Sequence, residues 1–238
     1  MLRRPPIDSL TIDGLTFAVR WSGRRRTIGI TVRRDGSLVA AAPAGVSRRR
    51  LEASLRAKLP WVRRKLAEFE RLGPPPQPKR FVDGELLPYL GCDRRLTLVT
   101  GAAEPVRLAG DRLELDAGLD GGARAAVITW YTERARTVVG AAVERWAPLV
   151  GAAPAAVVVR DLGRRRWGVC DHRTATVTFH WQLVTQPPEL VDYVVVHELA
   201  HLHEPNHQAA FWARVAAVLP DWKDRRRRLS SGGREHVF

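Results

Sequence analysis

Between residues 73 and 78 the chain reads Gly-Pro-Pro-Pro-Gln-Pro, a run that neither a helix interior nor a central strand can contain. Each proline fixes its own φ and lacks an N–H, so the segment is stiff and extended. The 238 residues are thereby divided, and the fold must be assembled from a piece on either side of a spacer. With 45% hydrophobic residues there is enough apolar surface for a sizeable core, which excludes disorder. Two cysteines, Cys92 and Cys170, are too few for a disulfide framework or a four-thiolate metal site. The opening Met1-Leu2-Arg3-Arg4-Pro5-Pro6 has no apolar run, and no later stretch approaches the roughly 18 apolar residues of a membrane span, so the expectation is a soluble, cytoplasmic protein.

Before the spacer, residues 15–21, 26–33 and 37–42 alternate or run apolar over strand lengths, with Gly23 and Asp35-Gly36 supplying turns; this predicts an antiparallel β-meander. Ser47 is placed to cap a following helix whose Leu51, Leu55, Leu59, Val62, Leu66 and Phe69 recur at three- and four-residue spacing. Pro60 falls inside that pattern and predicts two helices or a kink. The formal charge of +14 is concentrated here: residues 1–73 hold 17 basic against 6 acidic groups, residues 74–150 hold 10 against 10, and residues 151–238 hold 12 against 9. Arginine clusters at 24–26, 48–50, 164–166 and 225–228, and Arg63-Arg64-Lys65, could attract phosphate in nucleic acid or nucleotides. Only four of the 39 basic residues are lysine, a bias that also fits a solvated surface shaped by composition.

After the spacer, strands are expected at 94–100, 105–108 and 112–115, then a helix from about 122 to 149 with Val127, Trp130, Tyr131, Arg134, Val138, Ala142 and Trp146 on one face. Strands at 156–161 and 174–180 precede a final helical segment. No internal repeat is visible in the letters.

The segment from Pro187 to His201 carries the chemistry. Pro187, Pro188 and Glu189 suit a first helical turn, where missing N–H groups are harmless and negative charge meets the dipole. His197 and His201 then lie one turn apart on one face, within reach of a single Zn²⁺. Glu198 sits beside them, rotated by about 100°, where a carboxylate can take the proton of a zinc-bound water and pass it to a leaving group. A third ligand is needed, and His207, just beyond the helix-ending Pro205, supplies it in the pattern His-Glu-x-x-His-x5-His. Glu204 is the competing ligand; His203 points to the opposite side of the helix. A metzincin would need a downstream methionine turn, and the only methionine is Met1. Phe211, Val215 and Val218 follow helical spacing and, with Leu190, Tyr193, Val194 and Trp212, are expected to pack the metal helix rather than bind substrate.

From about residue 16 to 229 the chain resembles the YgjP-like metallopeptidase family, relatives of the SprT-like zincins. The resemblance rests on Thr27-Ile28-Gly29-Ile30, Ala42-Pro43-Ala44-Gly45-Val46, Phe81-Val82-Asp83-Gly84-Glu85, Pro88-Tyr89-Leu90-Gly91 and Arg166-Trp167-Gly168-Val169-Cys170, and then on Trp181-Gln182-Leu183, the stretch 187–202, Asn206-His207, Phe211-Trp212 and Leu219-Pro220-Asp221. It implies an α+β fold with a zincin-like catalytic part on an HExxH helix, preceded by the small meander and helix: residues 16–71, a spacer at 73–79, and a catalytic part at 80–229. It implies zinc at His197, His201 and His207 with Glu198 as base. Val169 and Asp171 stand where the family commonly has serine, and His180 where it commonly has asparagine. A strand ahead of the metal helix often lines the cleft in zincins, so Gly168, Val169, Cys170 and His180 are the expected substrate-side residues, the alternative being a structural turn and a packed histidine. Nothing in the sequence gives Cys170 a base, which argues against a nucleophile.

The reaction expected is zinc-dependent hydrolysis of a polypeptide. The alternatives are a metal-dependent nucleoside triphosphate pyrophosphatase, against which the lack of a glycine-rich phosphate loop counts, and a basic nucleic-acid-binding module with a structural zinc, which would need no Glu198.

Overall fold

A computed structural model of the chain describes residues 8–73, 77–163, 166–232 and 238. The prolines at 74–76, Arg164 and Arg165 of the third arginine cluster, and the first seven residues lie outside the described residues. The chain forms two compact units, divided between residues 76 and 77. Among the described residues, no helix is long and apolar enough to cross a membrane.

The first unit contains β1 (Asp8–Ile12), β2 (Leu15–Ser22), β3 (Gly29–Val32), β4 (Leu38–Pro43) and the helix α1 (Arg48–Leu72). Its sheet order is β1-β2-β4-β3, with β2 and β4 parallel, so the strands do not form the predicted meander. Burial accounts for the difference. Leu38, Val39, Ala40 and Ala42 of β4 are all buried, as a strand with neighbours on both sides requires, whereas β3 is only half-buried and takes the edge. β1 escaped the sequence reading because only Leu10 and Ile12 of its five residues face the core.

Ser47 caps α1 as expected, its hydroxyl accepting from the Arg50 N–H, and Leu51, Leu55, Leu59 and Val62 are buried against the sheet. Pro60 does not divide the helix. It faces solvent, where water can satisfy the carbonyl that loses its partner.

The second unit opens with β5 (Leu86–Tyr89), β6 (Cys92–Val99), β7 (Val106–Ala109), β8 (Arg112–Asp116) and the helix α2 (Ala123–Val150). The sheet order is β5-β6-β8-β7, with β6 and β8 parallel. This is the topology of the first unit again, four strands in the same order and senses followed by a long helix. The spans 8–72 and 86–150 are displaced by 78 positions at both ends. The first hairpin of each copy turns through a pair of left-handed residues, Asp13-Gly14 (φ 48° and 81°) and Leu90-Gly91 (φ 50° and 78°), the signature of a type I′ turn. The architecture repeats where the letters do not.

On α2 the buried face is Val127, Trp130, Tyr131, Ala135, Val139, Ala142, Val143, Ala147 and Val150; Arg134, placed on that face by periodicity, is exposed with its guanidinium over the Trp130 ring. A third sheet, order β10-β11-β9, follows: β9 (Ala156–Arg160) and β11 (Thr176–His180) are parallel, and β10 (Gly168–Asp171) is an antiparallel edge. A 3₁₀ turn at Trp181–Thr185 leads into α3 (Pro188–Ala200), then α4 (Ala209–Val218) and α5 (Trp222–Gly232). The α+β class is as expected.

The repeated hairpin also sets where α3 begins. In the second copy the Leu90 N–H donates to Val184 O at 2.7 Å and the Gly91 N–H to Thr185 O at 3.4 Å, and a Cβ at Gly91 would come within 2.8 Å of Pro187. Glycine is required there by both its φ and its neighbour. The fully buried Tyr131 of α2 completes the joint by donating its hydroxyl to Pro88 O at 2.7 Å. Tyr131→Phe strands that carbonyl, at a cost of about 1–2 kcal/mol. Thermal denaturation is therefore expected to shift down by ~2–6 °C, and an unchanged midpoint would show the bond to be dispensable.

Candidate metal centre

Helix α3 is held by packing rather than by propensity. Val194-Val195-Val196 is a β-branched run that by itself favours a strand. Nearly every residue from Leu190 to Ala200 is nonetheless buried, on all sides of the helix, and Pro188 with Glu189 in the first turn fixes where it starts. Arg145 of α2 pairs with Asp192, and Arg225 and Arg228 of α5 reach Glu189, the first at its carbonyl (2.9 Å) and the second at its carboxylate (2.6 Å).

His197 occupies the last turn of α3 and His201 is its C-cap. The chain then turns back, and His207 arrives from the segment before α4. The Nε2 atoms converge: His207 lies 2.9 Å from His197 and 3.1 Å from His201. Phe211 of α4, fully buried, lies beneath all three imidazoles with ring centroids 4.9, 4.5 and 4.7 Å from His197, His201 and His207. Its helical spacing announced a core residue, and its packing makes it the platform of the cluster.

The protonation pattern suits a cation. Burial, with His201 and His207 beside it, pulls the His197 pKa down to about 3, so that ring is neutral, and burial lowers those of His201 and His207 as well. With the proton of His201 on Nδ1, where it donates to Glu204 O at 2.9 Å, its Nε2 presents a bare lone pair to the cluster. Three neutral imidazole nitrogens aimed at one point are a donor set for zinc or another borderline-soft metal. The Glu204 side chain is outside that group, and His203 turns away, exposed, to Gly151 O. His197 Nδ1 is buried with no hydrogen-bond partner among the described residues.

Glu198 is 6% exposed, and burial pushes its carboxyl up to about 8. It packs on Gly168: a Cβ there would lie 2.5–2.7 Å from the Glu198 carboxyl end. A cleft of about 550 Å³ opens over these groups, walled by Gly168, Val169 and Cys170 on one side and by α3 on the other. The other edge of β10 is unpaired among the described residues.

Of the substrate-side expectations, Gly168, Val169 and Cys170 line the cleft and His180 does not. His180 is 5% exposed, accepts from the Gln182 N–H at Nδ1 and faces the Asp161 carboxylate at Nε2, 3.2 Å away, a capping role for the 3₁₀ turn. Burial, with Glu198 and Asp171 adding to it, raises the Cys170 thiol to about 11, which keeps it protonated and inert. Sequence reasoning missed Arg226, Tyr193 and Arg166 in the cleft. Arg226 was submerged in a four-arginine run that the structure sorts. Arg225 bonds Asp221, Arg227 bonds Asp224 and Arg228 bonds Glu189, while Arg226 turns to the cleft with its guanidinium 4.9 Å above Trp212. Its spacing of four from Trp222, which stacks on Trp212 at 4.1 Å, was the available signal.

The family model described as YgjP-like, metallopeptidase domain, matches residues 26–232. Among solved structures, that of the metallopeptidase zymogen of Pyrococcus abyssi abylysin is similar at 23% identity and a TM-score of 0.38, covering 42% of this chain and 99% of that one. No curated protein matches.

The contact between Gly168 and Glu198 is open to a direct test. Gly168→Ala forces the two apart and should lower stability to denaturant by about 1–3 kcal/mol. Glu198→Ala in the same chain removes the obstacle and should recover most of the loss, so strictly additive effects would refute the contact.

Proposed function

The chain belongs to the YgjP-like metallopeptidase family, and on that footing we propose that it is a zinc-dependent peptidase, with the metal on His197, His201 and His207 and Glu198 as its general base. The supporting observation is the convergence of three imidazole Nε2 atoms beside a buried carboxyl, walled by an edge strand. Bound zinc supplies Lewis acidity, making a water acidic enough to lose its proton near neutral pH and polarising the scissile carbonyl. A cation held beside it would favour the ionised form of Glu198, whose carboxylate oxygen would then take that proton and deliver it to the leaving nitrogen. Gly168 gives the carboxyl the space to lie there, and Phe211 packs on the three imidazoles that would hold the metal. An extended substrate pairs with the free edge of β10, its main chain held by the outward N–H and C=O groups of Gly168 and Cys170, so the backbone is gripped with little regard to side chains. Tyr193 stays a neutral donor at the cleft, burial raising its hydroxyl to about 12.

The family match favours a polypeptide over a nucleotide or nucleic acid. The arginines of α5 that recommended phosphate are, apart from Arg226, engaged with Asp221, Asp224 and Glu189.

Purified protein is expected to hold about one zinc per chain, measured by elemental analysis, and His207→Ala to lose it. Full stoichiometry in that variant would move the third position to another residue. With zinc loaded, Glu198→Gln should retain the metal while turnover of an unfolded polypeptide falls by about 10²–10⁴-fold. Cleavage confined to nucleoside triphosphates, assayed in parallel, would overturn the peptidase reading.

A further inference from the structure

The first unit carries a groove of about 970 Å³ of its own, formed by β3 and the turns around it on one side and a face of α1 on the other. Its apolar lining is Ile28, Ile30, Val46 and Trp61, all half-buried against the unit's core. Ile28, just ahead of β3, and Ile30 within it both line the groove. On α1 the groove follows positions 50, 54, 57, 58, 61 and 64, one stripe of the helix, and the small Ser54 and Ala57 leave the space in its middle.

The charges at this groove are one-sided. Arg26, Arg50, Lys58 and Arg64 line it, all exposed, and no acidic residue does. Elsewhere on the same helix four cations have partners, Arg48 with Glu52, Arg56 with Asp13, Lys65 with Glu68, and Arg63 with the Asp13 carbonyl, while Arg49 and Arg71 have none among the described residues. None of the four groove cations makes an ion pair among the described residues.

Two further features say what kind of partner fits. β3 is an edge strand, bonded only to β4 among the described residues, so it can accept another strand. The lining is aliphatic apart from Trp61, whereas single-stranded nucleic acid is gripped by rows of aromatic platforms. The second copy of the scaffold gives a parallel, since there the helix α2 also packs against the 3₁₀ turn and α3, while among the described residues the first unit has no element beyond α1 to do likewise.

We propose that this groove is a docking site for an extended polypeptide segment that alternates apolar and acidic residues, adding as a strand to β3 with its acidic side chains among Arg26, Arg50, Lys58 and Arg64. The apolar side chains enter over Ile28, Ile30 and Trp61. On the peptidase reading proposed above, this is a second point of hold on a protein substrate, independent of the metal chemistry.

The test uses the full chain and fluorescence anisotropy of a short labelled peptide alternating valine and glutamate. It should bind, and its affinity should fall about tenfold or more in Arg50→Glu/Lys58→Glu, whose melting temperature is expected to be unchanged because both side chains are exposed and unpaired. Arg64→Ala offers a milder second variant, with a smaller loss. Replacing valine by serine, or N-methylating alternate residues of the peptide, should also weaken it. Equal binding of the serine peptide or of a single-stranded oligonucleotide would reduce the groove to a general polyanion surface and overturn the proposal, as would no binding, or binding indifferent to the charge reversals. Zinc-dependent cleavage of a short neutral peptide is read in the same variants. Its absence from every one counts against the peptidase reading alone.

Discussion

A carboxyl group folded against a glycine α-carbon holds the second unit's chemistry together. Glu198 can be buried because Gly168 has no side chain, and β10 can run close to α3 for the same reason. The two walls of the cleft thus come close at this contact. Removing water from the carboxyl raises its proton affinity, and the same exclusion of water keeps the neighbouring imidazoles neutral. The proposed general base, Glu198, and the candidate ligand His197 therefore draw on one physical cause, the dryness of the layer between an edge strand and a buried helix. Phe211 contributes from beneath, since one ring in contact with three imidazoles sets their mutual tilt without using any of their nitrogens.

The candidate ligands were legible because their geometry is local. Positions 197 and 201 face the same way on any helix, and a turn at Pro205 returns position 207 to them, so spacing alone specifies the cluster. Ser47 as a cap was legible for a similar reason. Features set by distant contacts were not. The alternation in residues 26–33 gave a strand correctly but not its neighbour, because pairing depends on which strand is apolar on both faces, and that property belongs to β4. His180 looked like a cleft residue from its place in the chain; whether it faces the cleft or the Asp161 side of β11 is a matter of pleat and register. Arg226 is one of four adjacent arginines, and only the partners of the other three single it out.

The two ββββα copies show how one scaffold serves different ends. In the second, the Leu90-Gly91 turn presses on Pro187 and donates to the 3₁₀ turn, so the hairpin is a bracket for α3. In the first, the corresponding Asp13-Gly14 turn is fastened to the unit's own helix through Arg56 and Arg63. The backbone conformation is shared, and the residue before the glycine decides the attachment: a leucine suits a buried joint, an aspartate a surface one. The repeat is invisible to letter comparison because left-handed turns and parallel seams constrain backbone shape far more than side-chain identity.

That shared strand order also sets how each sheet comes together. β1 with β2 and β3 with β4 are hairpins between chain neighbours, the kind of pairing that closes in about 1–10 μs. The parallel seam joining β2 to β4 has no such shortcut, because it must wait for two finished hairpins to meet, and the same holds for β6 and β8. Until the later seam zips, the bracket on Pro187 hangs from half a sheet. Helix α3, with its run of three valines, is thus a segment of the nascent chain open to mispairing as a strand, and its safety rests on how fast a sheet that carries none of the cleft's side chains can close.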